Sequence, residues 1–137
     1  MKPFRNVLHV ILIVLTIFLA LTAIPGGVAL LANIYAPPVD MLAGSLFKDF
    51  SIPGLSLALI VGGSALFAAV LLFRKNKFDI IFSATTGVII MFFEFVEMLV
   101  IGSPAGPARF MQILYFGLGT AIVVASISTW FLDLRSN

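Results

Sequence analysis

Four long apolar runs divide the chain: Val7 to Ile24, Leu55 to Phe73, Ile80 to Ile101 and Met111 to Leu132. Each is close to the ~20 residues that a helix needs to cross a hydrocarbon core. None alternates apolar with polar positions as a barrel strand does. Open strands would also leave backbone groups unpaired in lipid. The pattern therefore predicts four transmembrane helices. The first run follows Met-Lys-Pro-Phe-Arg, a start shared with secretory signals. It continues for 18 residues with no A-x-A site behind it, so it reads as a retained span.

The links between the runs differ in character. Arg74 to Asp79 is short, which makes the second and third spans antiparallel neighbours. Gly102 to Phe110 is a short turn broken by Pro104 and Pro107. The remaining segment, residues 25–53, is too apolar for an ordinary loop. Either the first helix kinks at Pro25-Gly26-Gly27 and runs on towards Ala36, or short helices lie in the membrane interface. Pro37-Pro38 ends any helix there. Beyond it, Met41, Leu42, Leu46, Phe47 and Phe50 form an apolar stripe against Asp40, Ser45, Lys48 and Asp49, which predicts an interfacial helix.

Basic residues set the orientation. Lys2, Arg5, Arg74, Lys75, Lys77 and Arg135 share one side of a four-span arrangement, and only Lys48 and Arg109 fall on the other. Both termini are thus expected in the cytoplasm. Trp130 suits the inner interface, and Tyr35 and Tyr115 the outer one.

Composition agrees with a lipid-solvated chain. The apolar fraction is 61% and the charged fraction 10%, against roughly 45–50% and about 25% in soluble domains. At 137 residues the chain is one membrane domain. There is no cysteine, which excludes disulfides and thiolate chemistry. A net charge of +2 gives no nucleic-acid footprint. The lipid bilayer is the one partner that composition requires.

Helices in lipid associate through small residues. The second run offers Ala58, Gly62, Ala65 and Ala69, the third Ser83 and Gly87, and the fourth Gly117, Ala121, Ala125 and Ser128. With these faces inward the fold is all-α: a compact antiparallel four-helix bundle with an interfacial helix in the long outer segment. Alternatively, the stripe at Gly117 and Ala121 binds a second copy or another subunit. The two hairpins share no internal repeat.

"MFFEFVEMLV", Met91 to Val100, places Glu94 and Glu97 inside the third run. At ~1.5 Å per residue they lie about 5 and 10 Å outside its midpoint. Their spacing puts them on one broad face with Ser83, Gly87 and Met91. A charge there costs a few kcal/mol on insertion scales. Protonation, a cation such as Arg109 or Lys48, or a bound ion would lower that cost. The functional reading is a proton or cation site at Glu94, Glu97 and Arg109, with Lys48, Asp49 and Ser83 as accessory candidates. The structural reading is a neutral or paired carboxylate that ties helices together.

Candidate catalytic chemistry is thin. The chain has no glycine-rich phosphate loop and no H-E-x-x-H. Its single histidine, His9, sits near the opposite membrane face from Glu94, too far for an E-x-x-H di-metal site or a Ser-His-acid arrangement. No catalytic residue, metal or cofactor is predicted, and the balance lies against an enzyme.

"GSLFKDFSIPGLSLALIVGGSALFAA", Gly44 to Ala69, resembles a segment of small prokaryotic four-helix membrane proteins. They carry G-S-x-F-x-D-[FY]-x-I-P-G-L before the second span, and many have a glycine-containing fourth span like "YFGLG" here. The resemblance implies the fold and a prokaryotic cytoplasmic membrane, and no activity. It marks Phe47, Asp49, Ile52, Pro53 and Gly54 as one structural unit, with Pro53-Gly54 breaking the chain just before the span. Three functions stay open: an accessory, scaffold or oligomer-forming subunit; a small proton- or cation-coupled transporter or channel using Glu94 and Glu97; and a lipid- or quinone-binding protein.

Overall fold

A computed structural model describes residues 2–32, 51–102 and 106–136. Four helices fill these residues: α1 (Lys2–Leu31), α2 (Ser51–Phe73), α3 (Asp79–Ile101) and α4 (Pro107–Ser136). All four are long and apolar enough to cross a membrane, and no strand occurs among the described residues. The predicted interfacial helix, with Phe47, Lys48 and Asp49, lies outside them, as does Tyr35.

Each helix packs on its neighbours in the order α1, α2, α3, α4 and back to α1. Within the described residues, α1 barely touches α3, and α2 does not touch α4, so these two pairs are diagonals. Leu12, Leu19, Val61, Leu72, Ile90 and Ile122 fill the centre and are fully buried. The outside carries an almost continuous apolar surface, including Val14, Leu21, Leu59, Ile81, Phe92, Leu99 and Ile113. Such a surface suits lipid and not water.

Where α1 crosses α2, the two helices approach backbone to backbone. A Cβ on Gly27 would collide with the Gly54 carbonyl and with Ala58, and one on Gly62 would collide with Ile24. This approach bears on two points of the sequence reading. Of its two alternatives for residues 25–36, the continued helix holds as far as Leu31: α1 runs through Pro25 beyond the apolar run that ends at Ile24, because Gly26-Gly27 is a packing surface and not a terminator. Pro53-Gly54 lies inside the first turn of α2 and not ahead of it. Proline is tolerated in a first turn, whose N–H groups have no helical partner anyway. Residues Ser56–Val61 are wound as a π-helix, and Leu57 in this stretch meets Gly26.

Helix α4 differs from expectation in another way. Gly117 and Ala121 are exposed, and a Cβ added to Gly117 meets nothing within 4 Å. Ala125 of the predicted stripe does turn inward, together with Gln112, Tyr115, Leu118, Gly119, Ile122, Ser126 and Thr129. Small residues can face lipid at no cost, whereas polar ones cannot. The polar residues therefore decide which way α4 turns.

Most buried hydroxyls need no partner from another helix. Thr16, Ser83, Ser126 and Thr129 each donate to a carbonyl one turn back in their own helix, at 2.7–2.8 Å. Thr86 is different, because it reaches across to the carbonyl of Ser64 on α2 at 3.1 Å.

The α2–α3 link is a compact helix stop. Asn76 N–H donates to Leu71 and Lys75 N–H to Leu72, the double bond pattern of a Schellman ending. Lys75 takes the left-handed conformation at φ 51° that this ending requires. The Asn76 side chain then accepts from Phe78 N–H at 2.9 Å and turns the chain into α3.

Candidate functional site: two polar clusters inside the bundle

The first cluster lies in the half of the bundle away from the termini. Glu94 on α3 is 2% exposed. Its carboxyl interacts with that of Glu97, one turn on, which is half-buried. Tyr115 on α4 stands close to both carboxylates and within hydrogen-bonding reach of Thr22 on α1. The Thr22 hydroxyl itself donates to the carbonyl of Phe18 at 2.9 Å, so the Tyr115 O–H is the proton available between the two. Three helices thus converge on the carboxylates.

Helix register adds a further member. Gly87 and Gly119 touch across α3 and α4. Two turns on, ~7 residues along each antiparallel helix, stand Glu94 and Gln112. Gln112 is 3% exposed and donates from Nε2 to the Gly102 carbonyl at 2.9 Å, which ties α4 to the end of α3. Its Oε1 and the Oε2 of Glu94 are both buried without a hydrogen-bond partner. Polar atoms in that state cost roughly 1–3 kcal/mol each. Two unpartnered acceptors at one level of the bundle make a place that favours a proton or another donor.

Of the residues proposed from sequence, Glu94 and Glu97 come together, and Ser83 lies buried on the same helix three turns away. Arg109 is exposed in the first turn of α4. Lys48 and Asp49 lie outside the described residues. Gln112 and Thr22 were not singled out in the sequence. The usable signal was Gln112 itself, an uncharged polar residue two turns from a glycine on the same helix face.

The second cluster sits at the end that carries both termini. Arg5 on α1 binds Asp133 on α4 through two hydrogen bonds, Nε–Oδ1 at 2.6 Å and Nη2–Oδ2 at 3.2 Å. Asp79, the first residue of α3, is 5% exposed and lies within electrostatic reach of Arg5, His9 and Asp133. His9 is 8% exposed, and its Nε2 is 2.8 Å from the Leu72 carbonyl. A carbonyl only accepts, so Nε2 carries the proton. The other ring nitrogen, Nδ1, is buried without a partner. Among the described residues, no group of three or more His, Asp or Glu is placed to hold a metal ion.

The chain matches no protein-family model, no curated protein and no solved structure.

Proposed function

We propose that the chain is a non-catalytic integral membrane protein that binds a proton or small cation at Glu94. The observation that carries this reading is the carboxylate itself, held in an apolar bundle at 2% exposure with one oxygen unpartnered. Ionisable groups inside a membrane are expensive and mark ion or proton sites by default. Glu97, Tyr115 and Gln112 supply neighbouring polar atoms. The excess of Lys and Arg on the terminal side supports cytoplasmic termini. The resemblance of residues 44–69 to small prokaryotic four-helix proteins supports a cytoplasmic membrane.

Infrared difference spectra between acidic and alkaline buffer test the site. A carboxyl C=O band should titrate in the wild type, persist in Glu97→Gln and vanish in Glu94→Gln. Identical spectra for wild type and Glu94→Gln would discard the reading.

A second reading is an accessory or oligomer-forming subunit, favoured by the exposed small residues Gly117 and Ala121 on α4. Close helix contact in lipid uses such a face. Crosslinking of cysteines placed at Gly117 or Ala121, in native membranes, separates it from a monomer.

A further inference from the structure

At the terminal end of the bundle, a cavity of about 310 Å³ opens between α1, the α2–α3 link, α3 and the end of α4. Arg5, His9, Lys75, Lys77, Asp79 and Asp133 line it, together with Trp130. The size falls at the lower end of ligand pockets, ~300–1,000 Å³.

Its chemistry is divided. Arg5 and Asp133 satisfy one another, which leaves Lys75 and Lys77 against Asp79. The cavity therefore keeps a net positive charge and suits an anion. The Nζ of the exposed Lys77 lies 5.0 Å above the centre of the Phe78 ring. Lys75 occupies a left-handed backbone position where glycine or asparagine is the usual residue. His9 and Asp79 make the opposite demand. With Nε2 committed to Leu72, Nδ1 has no partner and is an acceptor in the neutral ring, and His9 lines the cavity. Asp79 adds a carboxylate that also accepts.

We propose that this cavity binds a phosphoglycerol group, its phosphate on Lys75 and Lys77 and its hydroxyls donating to His9 Nδ1 and Asp79. The depth fits a lipid headgroup: the helix ends and Trp130 mark the membrane–water interface, and basic pockets between helix ends recognise anionic headgroups. The same chemistry is carried by soluble glycerol phosphate. This inference does not depend on the Glu94 site.

Native mass spectrometry of the full chain in detergent, with lipids added in equal amounts, tests it. Phosphatidylglycerol should be retained several-fold better than phosphatidylethanolamine or phosphatidylcholine. Lys77→Gln should abolish that preference. Arg74→Gln removes the same charge outside the cavity and should leave it intact. His9→Gln should reduce phosphatidylglycerol binding and leave phosphatidate binding unchanged, because phosphatidate lacks the glycerol hydroxyls. Displacement of phosphatidylglycerol by glycerol phosphate would assign the site to the soluble source. Equal retention of all lipids, or equal effects of Arg74→Gln and Lys77→Gln, would overturn the proposal.

Discussion

Gly87 and Gly119 meet with no side chain between them: a Cβ on either would lie 2.8 Å from the carbonyl oxygen of the other. This contact sets the spacing of α3 and α4, and two turns further on it sets the depth of Glu94 and Gln112. Gly119→Val should therefore force the helices apart. Overpacking of this kind costs ~1–3 kcal/mol. The same change at Gly117 enters open space. Thermal unfolding in detergent should show a clear loss for Gly119→Val and little change for Gly117→Val. The reverse order would refute the inward face assigned to α4.

Thr86 is 1% exposed and joins α3 to the Ser64 carbonyl of α2. Hydrogen bonds between membrane helices average ~0.6 kcal/mol and reach at most ~1.7. Thr86→Val should cost an amount in that range. Thr16→Val is the comparison, because the Thr16 hydroxyl returns to its own helix at Leu12. It should cost less, as the lost bond joins no two helices. Equal losses in denaturant unfolding would show that the cross-helix bond adds nothing.

The four spans were legible because a predominantly apolar run of ~20 residues has few alternatives in lipid. Their ends were less so. In sequence Pro25-Gly26-Gly27 leaves both a kinked continuation and a stop open, and Pro53-Gly54 looks like a break; both stretches lie within helices, because each is where the other helix approaches. Counting small residues chose Gly117 and Ala121 for the interior of α4. The buried polar residues Gln112, Tyr115, Ser126 and Thr129 identify the inner face correctly. Glu94 was legible as an anomaly, but its neighbours come from three helices, and no local pattern announces them. The same holds for Arg5, His9, Asp79 and Asp133, which only the folded bundle brings together.

Lys75 carries a backbone cost that its side chain does not repay within the fold. A left-handed conformation costs a non-glycine residue roughly 1–2 kcal/mol, and φ at Lys75 is 51°. Lys75→Gly should therefore raise stability by about 1 kcal/mol, allowing for the entropy that glycine loses on ordering. Lys75→Val, β-branched at a position with positive φ, should lower it. Unfolding of both variants in lipid-free detergent checks this, and a less stable Lys75→Gly would refute it.

Arg5 and Asp133 clamp the first turn of α1 to the last turns of α4, with side chains 34% and 37% exposed. At that exposure water screens the pair, and an ion pair of this kind is worth ~0.2–1 kcal/mol. Two bonds to one carboxylate place it towards the upper figure, because the fork of the guanidinium is pre-organised for bidentate contact. Arg5→Gln and Asp133→Asn should each destabilise the bundle modestly, and the double variant should cost less than their sum. Arg5→Lys keeps the charge but offers no fork, so it should recover only part of the loss. High salt should weaken the wild type more than the double variant, since only the former has the Arg5–Asp133 pair to screen. A double-mutant cycle at two salt concentrations measures all of this; a coupling near zero at both would mean that the pair orders the helix ends without holding them together.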